Sequence, residues 1–277
     1  MRFVKMHGLG NDFIMVNGFT ETLPEDLGTL AKDICHRQLG VGADGLIVLS
    51  PTDSASIARF SIYNYDGSQA EMCGNGMRCA ALFAKNEGLV KEDEFSFDTL
   101  AGIVKPKIID EFNGIVEVDM GKPRLDPQEI PAKFTGNRVV AAPMLVHARM
   151  FFVTLVSMGN PHCVIFLDDI IDLPVDKIGP QIETNDHFPA KTNVEFIQLL
   201  ADNRIMMRVW ERGCGETLAC GTGACAATVA AILNGYTKNK VEVVLRHGSL
   251  YIEWAENGHV FMTGPAEFVA KGEWDFR

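Results

Sequence analysis

Two cysteines open closely similar segments of this chain. Cys73 precedes Gly-Asn-Gly in "EMCGNGMRCAALFAKNEG", and Cys220 precedes Gly-Thr-Gly in "TLACGTGACAATVAAILNG". Both segments then become alanine-rich and close on glycine, a pattern that predicts a helix with a left-handed terminator. The first turn of a helix carries unpaired N–H groups and partial positive charge, which bind anions and favour a thiolate. We therefore expect a reactive sulphur and a cradle for a carboxylate-sized anion at each helix start.

The same cysteines are poor candidates for a metal centre or a disulfide oxidoreductase. Cys73 and Cys79 are six residues apart, and Cys220 and Cys225 are five apart, which places each pair on different faces of a helix. The chain has no Cys-x-x-Cys pair, which a disulfide oxidoreductase usually carries. A buried cysteine inside a helix is more often a small apolar side chain than a reagent.

A dinucleotide site is the more serious alternative. The segment "GTGACA" from Gly221 satisfies the pattern G-x-G-x-x-A, and Glu242 lies at a suitable distance beyond it. That fingerprint should follow directly on an apolar strand, whereas "WERGCGETLAC" is polar and rich in glycine. The first copy, "GNGMRC", also lacks the small residue at the last position. The pattern therefore favours the thiol interpretation over nucleotide binding.

The two cysteine segments belong to a longer internal repeat. Cys73 aligns with Cys220 at an offset of 147 residues, and the closing glycines, Gly88 and Gly235, keep that offset. Upstream, "GLGNDFIMV" aligns with "SMGNPHCVIF", and strand-like segments follow the helix in both copies. The sequence therefore predicts two copies of one α/β unit, in which strands precede and follow one alanine-rich helix.

The repeat also predicts where the domains begin and end. The N-terminal half, residues 1–118 plus 265–277, carries Cys73, and the C-terminal half, residues 119–264, carries Cys220. The final segment, "PAEFVAKGEWDFR", is thus expected to return to the N-terminal half. The second helix is apolar on nearly all sides, which indicates a helix enclosed by its own strands.

Composition narrows the classes of function. The 277 residues are 47% hydrophobic and 22% charged, as in an ordinary globular protein, and the net charge is −11. That acidic balance argues against a protein that binds nucleic-acid phosphates. The most apolar stretch, Val139 to Met158, is interrupted by Pro143, His147 and Arg149, which predicts buried strands rather than a membrane span. Seven cysteines and no visible targeting segment indicate reduced thiols in the cytoplasm.

A set of motifs along nearly the whole chain resembles the diaminopimelate epimerase family. In order, these motifs are "MHGLGNDF", "NYDGSQAEMCGNGMRC", "SMGNPHC", "TNVEF" and "WERGCGETLACGTGACA". Proline racemases and the phenazine-pathway isomerases share one or two of the segments but not the full set. The resemblance implies an α/β (α+β) fold with two pseudo-symmetric domains, each a strand barrel around a central helix. It places the site in the cleft between the domains.

The resemblance also implies a function. Members of the family are cofactor-independent isomerases that interconvert LL- and meso-2,6-diaminopimelate on the bacterial route to lysine and peptidoglycan precursors. It implies a small-molecule substrate, no metal, no nucleic-acid or membrane partner, and a homodimer in the cytoplasm.

Motif positions assign the candidate site residues. The resemblance makes Cys73 and Cys220 the catalytic thiols, supported by His162 and Glu211. The implied substrate contacts are Asn11, Asn64, Gly74, Asn75, Asn160, Asn193, Glu211, Arg212, Gly221 and Thr222. One position departs from the family pattern, because Gly45 follows "GVGAD" where the family has Gln. The spacing gives the third nearby thiol, Cys214, no role.

The chemistry of the residues agrees with this assignment. Inverting a Cα requires a base on one face and an acid on the other, because a single base tends to return the proton to its original face. Without an electron sink, the negative charge must flow into the substrate carboxylate, which two helix N-termini stabilise. Thiols suit the two roles because their pKa can be brought near neutrality. The guanidinium of Arg212 is suited to bind the distal carboxylate of a dicarboxylic acid.

Other readings of these residues stay open at this stage. Asparagines in glycine-rich segments often only cap or turn the backbone, and a lone histidine is more often structural. Two further functions use the same segments: a dehydrogenase built on the Gly221 loop, which bound nicotinamide would reveal, and a non-catalytic thiol or metal module, which stoichiometric zinc would reveal.

Overall fold

A computed structural model describes residues 1–201 and 203–275 of the protein. The chain divides into two compact units, Met1–Asp119 with Thr263–Arg277 (unit 1) and Met120–Met262 (unit 2). The domain boundaries predicted from the repeat lie one or two residues from this division. Among the described residues, each helix is too short or too polar to cross a lipid bilayer.

Unit 1 is a mixed sheet with a helix at its centre. Its sheet has the strand order β19-β1-β2-β3-β4-β6-β7, with β5 paired to β4, and β8 and β9 form an antiparallel hairpin. The elements are β1 (Arg2–Gly8), β2 (Asn11–Asn17), α1 (Leu27–Cys35), β3 (Gly45–Ser50), β4 (Ala58–Asn64), β5 (Gln69–Ala70), α2 (Gly74–Asn86), β6 (Phe97–Thr99), β7 (Gly102–Val104), β8 (Pro106–Asp110), β9 (Ile115–Asp119) and β19 (Glu267–Glu273).

Unit 2 repeats the arrangement. Its sheet has the order β10-β11-β12-β13-β14-β16-β17-β18, with β15 paired to β14. The elements are β10 (Ala142–Val146), β11 (Arg149–Ser157), β12 (Pro161–Phe166), α3 (Val175–Glu183), β13 (Asn193–Leu199), β14 (Arg204–Glu211), β15 (Gly215–Thr217), α4 (Gly221–Leu233), β16 (Lys240–Leu245), β17 (Gly248–Trp254) and β18 (Val260–Pro265), the last of which contains the unit boundary.

The two units share strand directions as well as element order. In unit 1, β2 pairs with β3 and β4 with β6 in parallel, and the strands at the corresponding places in unit 2, β12 with β13 and β14 with β16, are also parallel. The C-terminal strand β19 pairs antiparallel with β1, as β10 does with β11. The internal repeat predicted from the sequence is therefore confirmed at the level of topology.

The predicted alanine-rich helices are the cores of the units. The apolar positions of α2 predicted to share one face, Met77, Ala80, Ala81 and Ala84, are fully buried. Helix α4 contacts β11, β12, β13, β14, β16 and β17, which explains why its sequence is apolar on all sides. Each helix ends before a glycine with positive φ, +72° at Gly88 and +75° at Gly235.

Two shorter helices were not predicted from the sequence. Helix α1 begins at an N-cap, where the Asp26 carboxylate accepts from the Thr29 N–H at 3.0 Å, and it packs its apolar side on β3 and β4. Helix α3 occupies the corresponding place in unit 2, although Pro180 lies inside it. Both helices have nine residues, so the apolar period is too short to distinguish them from loops.

We expect Gly114→Ala to lower the melting temperature more than Gly88→Ala does. Both glycines have positive φ, +65° and +72°, and a left-handed conformation costs other residues about 1–2 kcal/mol. A Cβ at Gly114 would also overlap the Ala266 carbonyl oxygen, whereas one at Gly88 would have no described atom within 4 Å. Each further 1 kcal/mol corresponds to roughly 2–4 °C in a domain of this size. Equal melting temperatures in thermal unfolding would contradict the expected clash.

Candidate active site

The candidate thiols lie where the central helices begin. Cys73 is the N-cap of α2 and Cys220 is the N-cap of α4, and both residues have extended backbone dihedrals. The Gly223 N–H donates to the Cys220 Sγ at 3.4 Å. The prediction that a cysteine heads each helix is therefore confirmed. Cys73 is partly exposed, whereas Cys220 keeps only 5% of its surface.

The second glycine of each Gly-x-Gly segment allows close approach. A Cβ at Gly76 would lie 2.7 Å from Ile47 Cδ1. A Cβ at Gly223 would lie 2.9 Å from Glu195 Oε1 and 3.3 Å from Cys220 Sγ. Gly223 therefore lets a buried carboxyl group and the thiol approach the same turn of helix α4.

In unit 1 the thiol belongs to a cluster of asparagine side chains. Cys73 Sγ lies 3.8 Å from Asn11 Oδ1, which also accepts from Asn75 Nδ2 at 3.1 Å. The Asn75 Oδ1 in turn accepts from the guanidinium of Arg78 at 3.1 Å, and Arg78 is fully buried. Asn11 donates to Asp44 Oδ2 at 2.7 Å. Unit 1 thus brings together the predicted residues Cys73, Asn11 and Asn75, and fixes the direction of both amides.

The two remaining predicted residues of unit 1 lie at the ends of regular elements. Asn64 ends β4, opposite Gly45, and donates through its amide to Ser68 Oγ at 2.9 Å. Gly74 is buried as the first residue of α2. A Cβ at Gly45 would lie 2.7 Å from the Tyr63 carbonyl oxygen, so a glutamine there requires the local backbone to shift. The close pairing of β3 with β4 therefore favours glycine over the family's glutamine at position 45.

In unit 2 a hydrogen-bonded chain runs from a buried carboxyl group to the thiol. Glu195 Oε1 lies 2.7 Å from His162 Nδ1, and His162 Nε2 lies 2.9 Å from Asn160 Oδ1. The Asn160 amide then donates to Thr222 Oγ1 at 3.3 Å, and Thr222 Oγ1 lies 3.5 Å from Cys220 Sγ. The predicted residues His162, Asn160, Thr222 and Cys220 are therefore brought together.

Glu195 is the member of this chain that the sequence analysis missed. It lies in the interior strand β13, where its side chain and that of His162 are fully buried. A glutamate among apolar residues, in "NVEFI", was the available signal, because a fully buried carboxyl group requires a partner.

The other predicted residues of unit 2 surround the end of β14. Asn193 donates to the Pro161 carbonyl at 2.8 Å and accepts from the Arg212 N–H at 2.9 Å. The Glu211 carboxylate accepts from Thr217 Oγ1, while the guanidinium of Arg212 is exposed and reaches the Ala190 carbonyl. Asn193 therefore holds the backbone from which the Arg212 side chain projects. Gly221 is the buried first residue of α4, and Cys214 is exposed in the turn after β14.

The structure corrects one expectation about Cys220. The helix start was expected to favour a thiolate, yet burial raises the pKa of Cys220 well above its ordinary value, and the Glu211 and Glu195 carboxyl groups raise it further. The Gly223 N–H and Thr222 hydroxyl lower the pKa but are outweighed. Burial also raises the pKa of the Glu195 carboxyl group. These surroundings favour the thiol form of Cys220, which is the form that can donate a proton.

The segment before Gly221 does not fit a dinucleotide fold. It is the short strand β15, which pairs antiparallel with β14 and is followed by a non-strand stretch before α4. In dinucleotide folds, a central parallel strand runs directly into the glycine turn. Within residues 1–201 and 203–275, no three His, Cys, Asp or Glu side chains are grouped as metal ligands.

Comparison with known proteins identifies the relatives of this chain. The family model for diaminopimelate epimerase matches residues 3–125 and 154–269. A diaminopimelate epimerase from Pelotomaculum thermopropionicum is 52% identical over 280 residues, which covers 100% of both proteins. One from Moorella thermoacetica is 51% identical over 276 residues, which covers 99% of each.

Solved structures with low sequence identity share the fold. A phenazine biosynthesis protein of the PhzF family from Bacillus anthracis has a TM-score of 0.69 at 16% identity, over 100% of this chain and 99% of the other. A probable proline racemase from Agrobacterium radiobacter K84 has a TM-score of 0.71 at 15% identity, over 100% of this chain and 93% of the other. At these identities the likeness concerns the fold alone.

Proposed function

Because the chain belongs to the diaminopimelate epimerase family, which are isomerases that do not use pyridoxal phosphate, we propose that it interconverts LL- and meso-2,6-diaminopimelate without a cofactor. This places it in bacterial lysine and peptidoglycan precursor biosynthesis. The observation that carries the proposal is the pair of N-cap cysteines on matching helices, in a chain that is 52% identical to a named epimerase over its full length. The same relationship supports a cytoplasmic homodimer.

The proposed mechanism is proton transfer by two thiols, Cys73 and Cys220. One sulphur, as thiolate, removes the proton from the substrate Cα, and the electron pair of the C–H bond moves into the α-carboxylate. The other sulphur, as thiol, donates its proton to the opposite face, and the electron pair returns to form the new C–H bond. The raised pKa of Cys220 supports its role as donor at the start of one direction. The reverse direction exchanges the two states.

Helix starts stabilise the charge that develops on the carboxylate. Gly74 and Asn75 form the first turn of α2, and Gly221 and Thr222 form the first turn of α4. Backbone N–H groups there present partial positive charge without reorganisation during the reaction. Because these donors belong to the backbone, their position does not depend on either catalytic side chain.

Polar side chains select the rest of the substrate. The exposed guanidinium of Arg212 binds the distal carboxylate, and Asn193 fixes the backbone from which it projects. Asn11, Asn64, Asn160 and Glu211 provide hydrogen-bonding groups for the remaining amino and carboxylate atoms. His162 supports the Cys220 thiol through Asn160.

Incubating the purified protein with LL-diaminopimelate, without any added cofactor, tests the proposal directly. Chiral separation of the products should show meso-diaminopimelate accumulating until the two isomers reach equilibrium. Starting from the meso isomer should lead to the same mixture. A protein that leaves both isomers unchanged under reducing conditions, while folded, would refute the proposed function.

A further inference from the structure

The imidazole of His162 lies between two oxygen atoms. Glu195 Oε1 is 2.7 Å from Nδ1, and Asn160 Oδ1 is 2.9 Å from Nε2. The other end of the Asn160 amide, Nδ2, donates to Thr222 Oγ1 at 3.3 Å, so Oδ1 is the atom that faces His162 in this structure. An oxygen of a deprotonated carboxyl group or of an amide only accepts, so each imidazole nitrogen needs a proton between itself and its neighbour.

Counting protons gives the charge of the Glu195–His162 pair. One proton lies on Nε2 and points to Asn160, and a second lies between Nδ1 and the carboxyl group. Whichever atom holds the second proton, the pair as a whole is neutral. A negative carboxylate beside a neutral imidazole supplies only one proton for these two contacts. The lone pair of one imidazole nitrogen would then face the lone pairs of an oxygen, which is unfavourable. The arrangement therefore holds one proton more than a charged Glu195 beside a neutral His162.

The pair can lose that proton while the Cys220 thiolate gains one, provided that the Asn160 amide turns over. Nδ2 would then donate to the bare Nε2, Thr222 would donate its hydroxyl proton to Asn160 Oδ1, and Cys220 would donate its S–H to Thr222. In the present orientation the Thr222 hydroxyl accepts from Asn160 and can either donate to the sulphur or accept from it, so the neutral pair is compatible with both a thiolate and a thiol at Cys220. The turned-over amide, which goes with the negative pair, requires the thiol, whereas a thiolate requires the present orientation and therefore the neutral pair.

We propose that Glu195 is a positioning residue that, through His162, Asn160 and Thr222, sets which proton state the Cys220 thiol adopts. A thiolate at Cys220 requires the neutral pair, and a negative pair requires Cys220 to be a thiol, so the cluster does not carry both negative charges at once. The importance of this coupling for catalysis rests on the proposed function. The coupling itself involves only residues of unit 2.

Two further titratable groups interact electrostatically with members of this hydrogen-bonded chain. The charge of Glu211 on β14 also raises the pKa of Cys220. The charge of Glu195 raises the pKa of Cys163 on β12. Burial keeps Cys163 protonated by raising its pKa well above the ordinary value. Glu211 accepts a hydrogen bond from Thr217, and its charge raises the pKa of Cys220.

The test measures the reactivity of Cys220 across pH in the intact protein. Iodoacetamide reacts with the thiolate, and mass spectrometry of the Cys220 peptide gives its alkylation rate. Because two groups share one proton, the wild-type rate should rise in two steps over a broad pH range. In Glu195→Gln the pair is always neutral, so the rate should follow a single ionisation and reach its plateau at lower pH. Glu242→Gln, which alters a carboxyl group paired with Arg204, is the matched control and should behave as wild type.

A second variant guards against a folding defect in Glu195→Gln. Thr222→Val keeps the side-chain shape in the first turn of α4 but breaks the link to the sulphur, so it should also abolish the two-step profile. Epimerisation by Glu195→Gln should lose about 10–100-fold in kcat, as carboxylates behind functional histidines typically contribute, with little change in KM.

The outcomes separate this proposal from the proposed function. If Glu195→Gln or Thr222→Val folds and its alkylation profile superimposes on that of wild type, the coupling is refuted, whatever the activity. If wild type does not convert diaminopimelate but the profiles differ as expected, the proposed function fails while the coupling stands.

Discussion

Replacing either Cys73 or Cys220 with alanine should lower the rate of epimerisation by several orders of magnitude. Each replacement removes the acid or the base on one face of the Cα, and such a role is typically worth about 10²–10⁴-fold. The N–H groups at the start of α2 and α4 remain, since they belong to the backbone, so each variant should still bind substrate. Turnover from both isomers, together with substrate affinity by calorimetry, checks the two statements.

Alanine at Cys79 and at Cys225 provides the matched controls. Both thiols are fully buried inside their helices, and burial raises the pKa of Cys79 to about 12, so neither is suited to exchange protons with a substrate. These variants should keep most of their turnover, apart from a modest loss of stability through a small cavity. Folded Cys79→Ala or Cys225→Ala protein as inactive as Cys73→Ala would show that the wrong cysteines have been chosen.

In deuterated water, the first meso product formed from LL substrate should carry deuterium at the inverted carbon. The donor thiol exchanges its proton with solvent, whereas the abstracting thiol holds the proton that it has just removed. Remaining LL substrate should therefore stay almost unlabelled at early times, because return from the same face restores the original proton. Mass spectrometry of the separated isomers measures both quantities.

The reverse reaction is the control for the labelling experiment. Starting from the meso isomer, the LL product should carry the label and the remaining meso substrate should not. Rapid labelling of the starting isomer in either direction would point instead to one base that exchanges with solvent, and two-thiol transfer would have to be abandoned.

Much of the fold follows from the repeat. Helices α2 and α4 were predictable because an alanine-rich run between Cys-Gly-x-Gly and a closing glycine strongly favours a helix over other secondary structure. Helix α3 was not predictable, since Pro180 lies inside it and a proline usually ends or kinks a helix. Tertiary packing, rather than local preference, decides such short elements.

The sequence predicted several side chains that the structure brings together, but it did not predict their electrostatics. The motifs pointed to Cys220, His162 and Asn160, which the structure joins in one hydrogen-bonded chain. The expected preference for a thiolate failed at Cys220, because a helix start acts over one turn while burial and two carboxyl groups act against the charge. Burial depends on contacts between distant strands, which local sequence does not specify.

The buried charges show how the two copies differ where their backbones agree. In α2 the buried guanidinium of Arg78 donates to Asn75, which donates to the Asn11 side chain beside Cys73, and the matching position in α4 is the uncharged Cys225. Behind Cys220 lies a carboxyl group instead. A duplication with two identical halves would bias both sulphurs toward the same proton state, yet the proposed reaction needs one of each. The different interior residues therefore give the two thiols different electrostatic surroundings, and we expect a chimera built from two copies of one half to lose that difference.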